Sequence, residues 1–152
     1  MNKIQNITID KIKYIAHELA VQTMGWDEPI PAFSTRYPNV LESCIMVPFQ
    51  KFDRKYLYRG LAGKAAMLFY LLIKNHPFLN GNKRIAVTTL LIFLYLNKKW
   101  LKSTEVELYN LAKWVAESPP EAKEEVINYI EKYIKKRLVE SLGQLSKNCN
   151  TL

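Results

Sequence analysis

The chain has 152 residues, of which 49% are hydrophobic and 24% charged, and its formal net charge is +8. That is the length and composition of one globular domain with enough apolar material for a core, and it excludes a disordered or fibrous chain. The charge favours an anionic partner such as a nucleotide, a nucleic acid or an acidic protein, while two cysteines, Cys44 and Cys149, exclude a disulfide framework.

The first ten residues, MNKIQNITID, contain no apolar run of signal-peptide type, and the apolar run at 85–96 is too short to cross a bilayer, so the expected location is cytoplasmic. Residues 11–24 read as a helix, because Ile12, Ile15, Ala16 and Leu19 recur at helical spacing after Asp10, the predicted N-cap. His17 has no second ligand at helical spacing and reads as a helix-surface residue. The stretch that follows holds Pro29, Pro31, Pro38 and Pro48 and shows no helical stripe, and the β-branched and apolar residues at 40–47 predict a short hairpin. From Leu61 the sequence is apolar on nearly all faces, as in a buried helix, and must stop near Asn75 because Pro77 disfavours helical geometry for His76. A second buried helix is predicted from Asn82 through the run ending at Lys99. Thr104 and Glu107 form a capping box for a helix reaching Glu117, and Ser118 with Glu121 forms another. Ile127, Ile130, Ile134 and Leu138 then mark a last amphipathic helix. The expected fold is all-α: one helical domain over 1–142, a short β-hairpin flap before the central helices, and a loose tail at 143–152. The cations at Lys98, Lys99, Lys102, Lys132, Lys135, Lys136 and Arg137 read as solvated faces, so nucleic acid is not the expected primary partner.

Between the two buried helices lies KNHPFLNGNKRIAV, residues 74–87. A turn between core helices needs a glycine or a proline, not His76, Asn80, Asn82, Lys83 and Arg84 together. Singly, each has a plain structural reading: His76 facing the last carbonyls of a helix, Asn80-Gly81 as a turn, Lys83-Arg84 as a basic helix end. The last fits poorly, since two cations in a first turn oppose the helix dipole, and a bound anion would relieve the conflict. The free N–H groups of a helix start point outward along its axis and suit an anion. Gly81 would let an anion approach the backbone, Asn82 could donate its side-chain amide, and Arg84 and Lys83 add full charges, the arginine with a fork suited to two phosphate oxygens. His76 would face that cradle, where a neutral imidazole can take a proton from an attacking hydroxyl. Phe78 is predicted to point inward and pin the loop. Base, cradle and anchor point to phosphoryl or nucleotidyl transfer.

HPFLNGNKR resembles the Fic/Doc signature, H-x-F-x-(D/E)-(G/A)-N-(G/K)-R, on a loop between two central helices. YPNVLESCIMVPFQ resembles the target-docking flap of that family, and the two apolar segments resemble its core helices. The resemblance implies an ATP-dependent, protein-modifying transferase. His76 corresponds to its general base, Phe78 to its core anchor, Gly81 and Asn82 to its anion hole, and Arg84 to its phosphate-binding arginine. Lys83 marks the Doc ("death on curing") toxin branch, which the resemblance associates with moving the terminal phosphate of ATP to a Ser/Thr hydroxyl of elongation factor Tu. An antitoxin supplied by another chain would neutralise it, because no complete (S/T)-x-x-x-E-(G/N) inhibitory pattern is present: Ser103 and Glu107 have the spacing, but Leu108 follows. Asn80 stands where the family has an acidic magnesium ligand, which implies weak Mg2+ binding. Val87 stands where longer Fic motifs carry a second arginine. AMP transfer to a protein hydroxyl is the alternative activity, and a catalytically weakened nucleotide-binding module the alternative class.

Overall fold

The computed structural model describes residues 3–25 and 28–141. Among them are six helices. Ile9–Lys11, Ile12–His17 and Glu18–Thr23 run on as one rod, α1, followed by α2 (Pro38–Met46), α3 (Gly60–Lys74), α4 (Asn82–Leu96), α5 (Glu105–Glu117) and α6 (Lys123–Arg137). Two short strand pairs complete the fold, β1 (Lys51–Phe52) with β2 (Lys55–Tyr56) and β3 (Lys99–Leu101) with β4 (Leu138–Glu140), both antiparallel. The all-α expectation therefore holds. Residues 143–152, expected as a tail, lie outside the described residues.

The centre is α3 and α4. Every residue from Ala62 to Ile73 is buried, as are Arg84 to Leu91, Phe93 and Leu94, so both helices are enclosed on nearly all sides, as their sequence demands. α3 packs on α4 and α6, and α4 packs on α1, α5 and β3. One hydrophobic cluster runs through all six helices. No described helix is long and apolar enough to cross a membrane.

Several local expectations are corrected. The N-cap of α1 is Thr8, whose hydroxyl accepts the Lys11 amide at 3.2 Å, and Asp10 lies inside the first turn. Residues 40–47 are not a hairpin. Pro38 begins a helix, and Leu41, Cys44 and Ile45, at i, i+3 and i+4, turn one buried face to the core. The flap-like segment is thus helical, and the hairpin before the central helices sits later, with Lys51 opposite Tyr56. Thr104 and Glu107 do form the predicted capping box. The second predicted box does not form: the Ser118 hydroxyl donates back to the Val115 carbonyl at 2.6 Å, and Pro120 starts a 3-10 turn (Pro120–Ala122) before α6. Leu138 leaves the helical stripe to pair with Leu101 in the β3–β4 ladder.

The middle of α1, Ile12–His17, is a π-helical turn. Such a turn widens the ladder and re-aims its side chains. Here the Thr88 hydroxyl of α4, fully inside the protein, donates to the Ala16 carbonyl at 2.8 Å. His17 closes this turn and faces inward. It is buried, and its Nε2 donates to the Pro31 carbonyl at 2.9 Å, so the surface reading of His17 was an error of facing. A polar ring on an apolar helix face can be buried once a carbonyl is there to satisfy it.

Candidate functional site

α3 ends at Lys74 with Asn75 as its C-cap, one residue before the pre-proline position, as the sequence requires. Lys74 then reaches across to the end of α5, donating to the Ser118 carbonyl at 2.6 Å. His76 leaves the helix in left-handed backbone, with φ 49°, and is exposed. That region costs a residue bearing a Cβ on the order of 1–2 kcal/mol, so the rest of the loop must hold it there.

The loop is held by named contacts. The Tyr37 amide donates to the Pro77 carbonyl at 2.9 Å. Asn82 closes a ring on Phe78: its Oδ1 accepts the Phe78 amide and its Nδ2 donates to the Phe78 carbonyl, both at 2.9 Å. Phe78 is buried, as predicted, with its ring 5.8 Å from that of Phe33 and 6.1 Å from that of His17. The Asn82 amide thus shapes the loop before it can serve any ligand.

Gly81 is the N-cap of α4, with φ 80°. A Cβ there would lie 2.9 Å from Ile30 Cγ1, so the glycine is needed both for its backbone and for the close approach of a side chain. On that face the approaching group is Ile30. Asn80 is also engaged: its Oδ1 accepts the Gly81 amide at 2.7 Å and its Nδ2 donates to Glu28 Oε2 at 3.1 Å. Arg84 is buried and donates from Nη1 to the Met24 carbonyl at 3.0 Å and from Nη2 to the Glu28 carbonyl at 2.6 Å. Part of the guanidinium fork therefore clamps the chain after α1 onto the start of α4.

His76, residues 79–84 and, from α5, Tyr109 and Ala116 line one cleft of about 200 Å3. Of the motif residues singled out in the sequence, His76, Asn80, Gly81, Asn82, Lys83 and Arg84 meet there, while Phe78 turns into the core. The floor is the start of α4, whose first turn bears no side-chain cap and no acidic residue but does bear Lys83 and Arg84. Uncapped amides, the dipole and Lys83 make this end electropositive. Whole-ligand pockets usually measure about 300–1,000 Å3, so this cleft has room for the phosphate end of a nucleotide rather than all of it. Among the described residues no three His, Cys, Asp or Glu side chains gather as a metal site.

The sequence reading missed Glu28, Ile30, Phe33 and His17, which support the loop from outside the motif. Their only sequence signal is the Pro29–Pro31 pair, which stiffens the segment without saying where it docks. Comparisons with curated proteins and with solved structures gave no match. A model of the Fic/DOC family matches residues 6–94, more than half of the chain, including the loop and nearly all of both central helices. With that match and an all-helical core around the loop, the chain belongs to the Fic/DOC family, whose members are typically transferases that modify proteins with groups taken from nucleotides.

Proposed function

We propose that this chain is a Doc-type member of the family and transfers the terminal phosphate of ATP to a serine or threonine hydroxyl of a protein, elongation factor Tu being the target that the resemblance suggests. The observation that carries this reading is His76, exposed, in left-handed backbone, bordering the same cleft as Lys83 and the start of α4. Strained backbone persists where the surrounding structure over-determines it, and functional sites are where it gathers. In this reading the His76 imidazole takes the proton of the target hydroxyl. The hydroxyl oxygen bonds to the γ-phosphorus, the bond from that phosphorus to the β–γ bridging oxygen breaks, and ADP leaves. The amides at the start of α4 and the Lys83 ammonium hold the phosphate oxygens and stabilise their charge.

Magnesium bound with ATP would neutralise phosphate charge. Asn80 alone suits it poorly, being neutral and already accepting the Gly81 amide. The hard, charged oxygen beside that position is the Glu28 carboxylate. An antitoxin with an acidic face is the partner that the charge of +8 favours.

Incubation of the protein and cell extract with ATP labelled at the α or the γ position tests the reading. Label passing to protein from the γ position alone supports it, label from the α position supports AMP transfer, and no transfer from either position counts against both. His76→Ala should lower transfer by roughly 10²–10⁴-fold while shifting stability by less than about 0.5 kcal/mol. A second reading, a nucleotide-binding module without turnover, draws on the engaged Arg84 and the neutral Asn80. It requires that His76→Ala change neither nucleotide affinity nor any effect on growth.

A further inference from the structure

We infer that Lys74 is a positioning residue for the phosphate end of the nucleotide: its ammonium covers the carbonyls at the end of α5 and so cancels a negative helix end that the cleft would otherwise present to an anion. The inference rests on the ATP reading of the cleft and adds to it a residue from behind the lining. Two helix ends of opposite sign border the cleft. One is the start of α4, with its uncapped amides and Lys83. The other is the last turn of α5, which reaches the lining through Ala116. The last carbonyls of a helix have no partner within it and carry about half a negative charge. Left open, they would repel the phosphates that the α4 amides attract.

α5 brings no cation of its own to that end. Its last turn holds no basic residue and finishes on Glu117, a carboxylate where the dipole favours a lysine or an arginine. The missing charge comes from a neighbouring helix. Lys74 Nζ donates to the Ser118 carbonyl at 2.6 Å and to the Ala116 carbonyl at 3.4 Å. The Val115 carbonyl is taken by the Ser118 amide at 3.1 Å and by the Ser118 hydroxyl at 2.6 Å. One ammonium and one serine thus close the helix end. Lys74 is half-buried and is the last residue of α3, between Ile73, which lines the cleft, and the cap Asn75 that leads into His76. A lysine that caps its own helix serves stability alone. This one covers another helix at the wall of an anion cleft, and its two carbonyl partners fix the charge behind that wall.

The test is calorimetric titration of the full chain with ATP and with AMP in metal-free buffer. Lys74→Gln removes the charge and keeps an amide donor, and Lys74→Arg keeps the charge. Lys74→Gln should weaken ATP binding by roughly tenfold and AMP binding by less, because AMP carries less charge, while Lys74→Arg should restore the affinity for ATP. A merely structural role would weaken both nucleotides alike. Equal losses for ATP and AMP, or an ATP affinity unchanged in Lys74→Gln, overturn the inference and leave the ATP reading standing. Urea unfolding shows whether Lys74→Gln is folded. If it is not, Glu117→Lys, a change at an exposed residue, takes its place: ATP affinity that rises more than AMP affinity supports the inference, and affinities that do not change overturn it. If the wild type binds neither nucleotide, the ATP reading falls and the inference falls with it.

Discussion

The guanidinium of Arg84 is almost wholly enclosed, and the two carbonyls it satisfies belong to residues about sixty positions earlier in the chain. A buried charge is tolerated only when paired or fully hydrogen-bonded, and removing one side of such a contact leaves the other orphaned. Arg84→Ala should therefore cost roughly 2–4 kcal/mol in urea unfolding, and Arg84→Lys should recover only part of it, because an ammonium has no fork to reach both carbonyls. An Arg84→Ala protein as stable as the wild type would refute the clamp. A lost activity in that variant must be read beside its stability before it is assigned to a phosphate contact. At this scale the sequence made the motif visible, and the inward turn of Phe78 followed from its place between two buried helices. The second duties of Asn80, Gly81 and Arg84 did not, since their partners Glu28, Ile30 and Met24 lie some fifty to sixty residues away and carry no periodic signal.

Among the elements, α5 shows local sequence deciding local structure. The Thr104 hydroxyl accepts the Glu107 amide at 3.1 Å, and the Glu107 carboxylate accepts the Thr104 amide at 3.2 Å. Thr104→Ala should lower stability by about 1 kcal/mol, measurable as a shift of the urea midpoint without a change of slope. Glu107 is held below the usual carboxylate range, first by the Ser103 hydroxyl and then by the Thr104 amide. A carboxyl lowered in the folded state stabilises above its unfolded value, and that contribution is lost as pH falls through the folded value. Glu107→Gln should therefore flatten the acid limb of the stability profile, and an unchanged limb would remove the carboxylate from the account. α2 shows the opposite case. Leu41, Cys44 and Ile45 have helical spacing, but the stripe is short and flanked by prolines, so it could be mistaken for the β-branched cluster of a strand. Burial against α3 decided between them.

For the molecule as a whole, one continuous cluster joins all six helices, so opening any part of the centre exposes the rest. Cys44 reports on this. It is fully buried, and burial pushes its thiol up to about 11. In a Cys149→Ser background, Cys44 should react with thiol reagents only as fast as the protein unfolds. Fast labelling of the folded protein would mean that the α2 face opens on its own. The raised thiol also adds stability that is full below the ordinary cysteine range and lost as pH climbs toward the folded value. The β3–β4 ladder is likewise a global feature: it pairs Lys99 with Glu140 and sets the Lys102 amide on the Arg137 carbonyl at 2.8 Å, joining two basic segments far apart in the chain.

By itself the sequence determined the helical class, the two enclosed helices, the polar loop between them and the cap of α5. Each of these depends on spacing within a few residues, through periodicity, proline geometry or a side chain reaching its own backbone. The tertiary structure alone decided that His17 faces inward, that 38–46 is a helix, that β3 meets β4, and that the segment after α1 settles on the motif with Glu28 against Asn80. Those outcomes depend on which distant carbonyls, rings and carboxylates come within hydrogen-bonding or van der Waals reach, and only packing sets those distances.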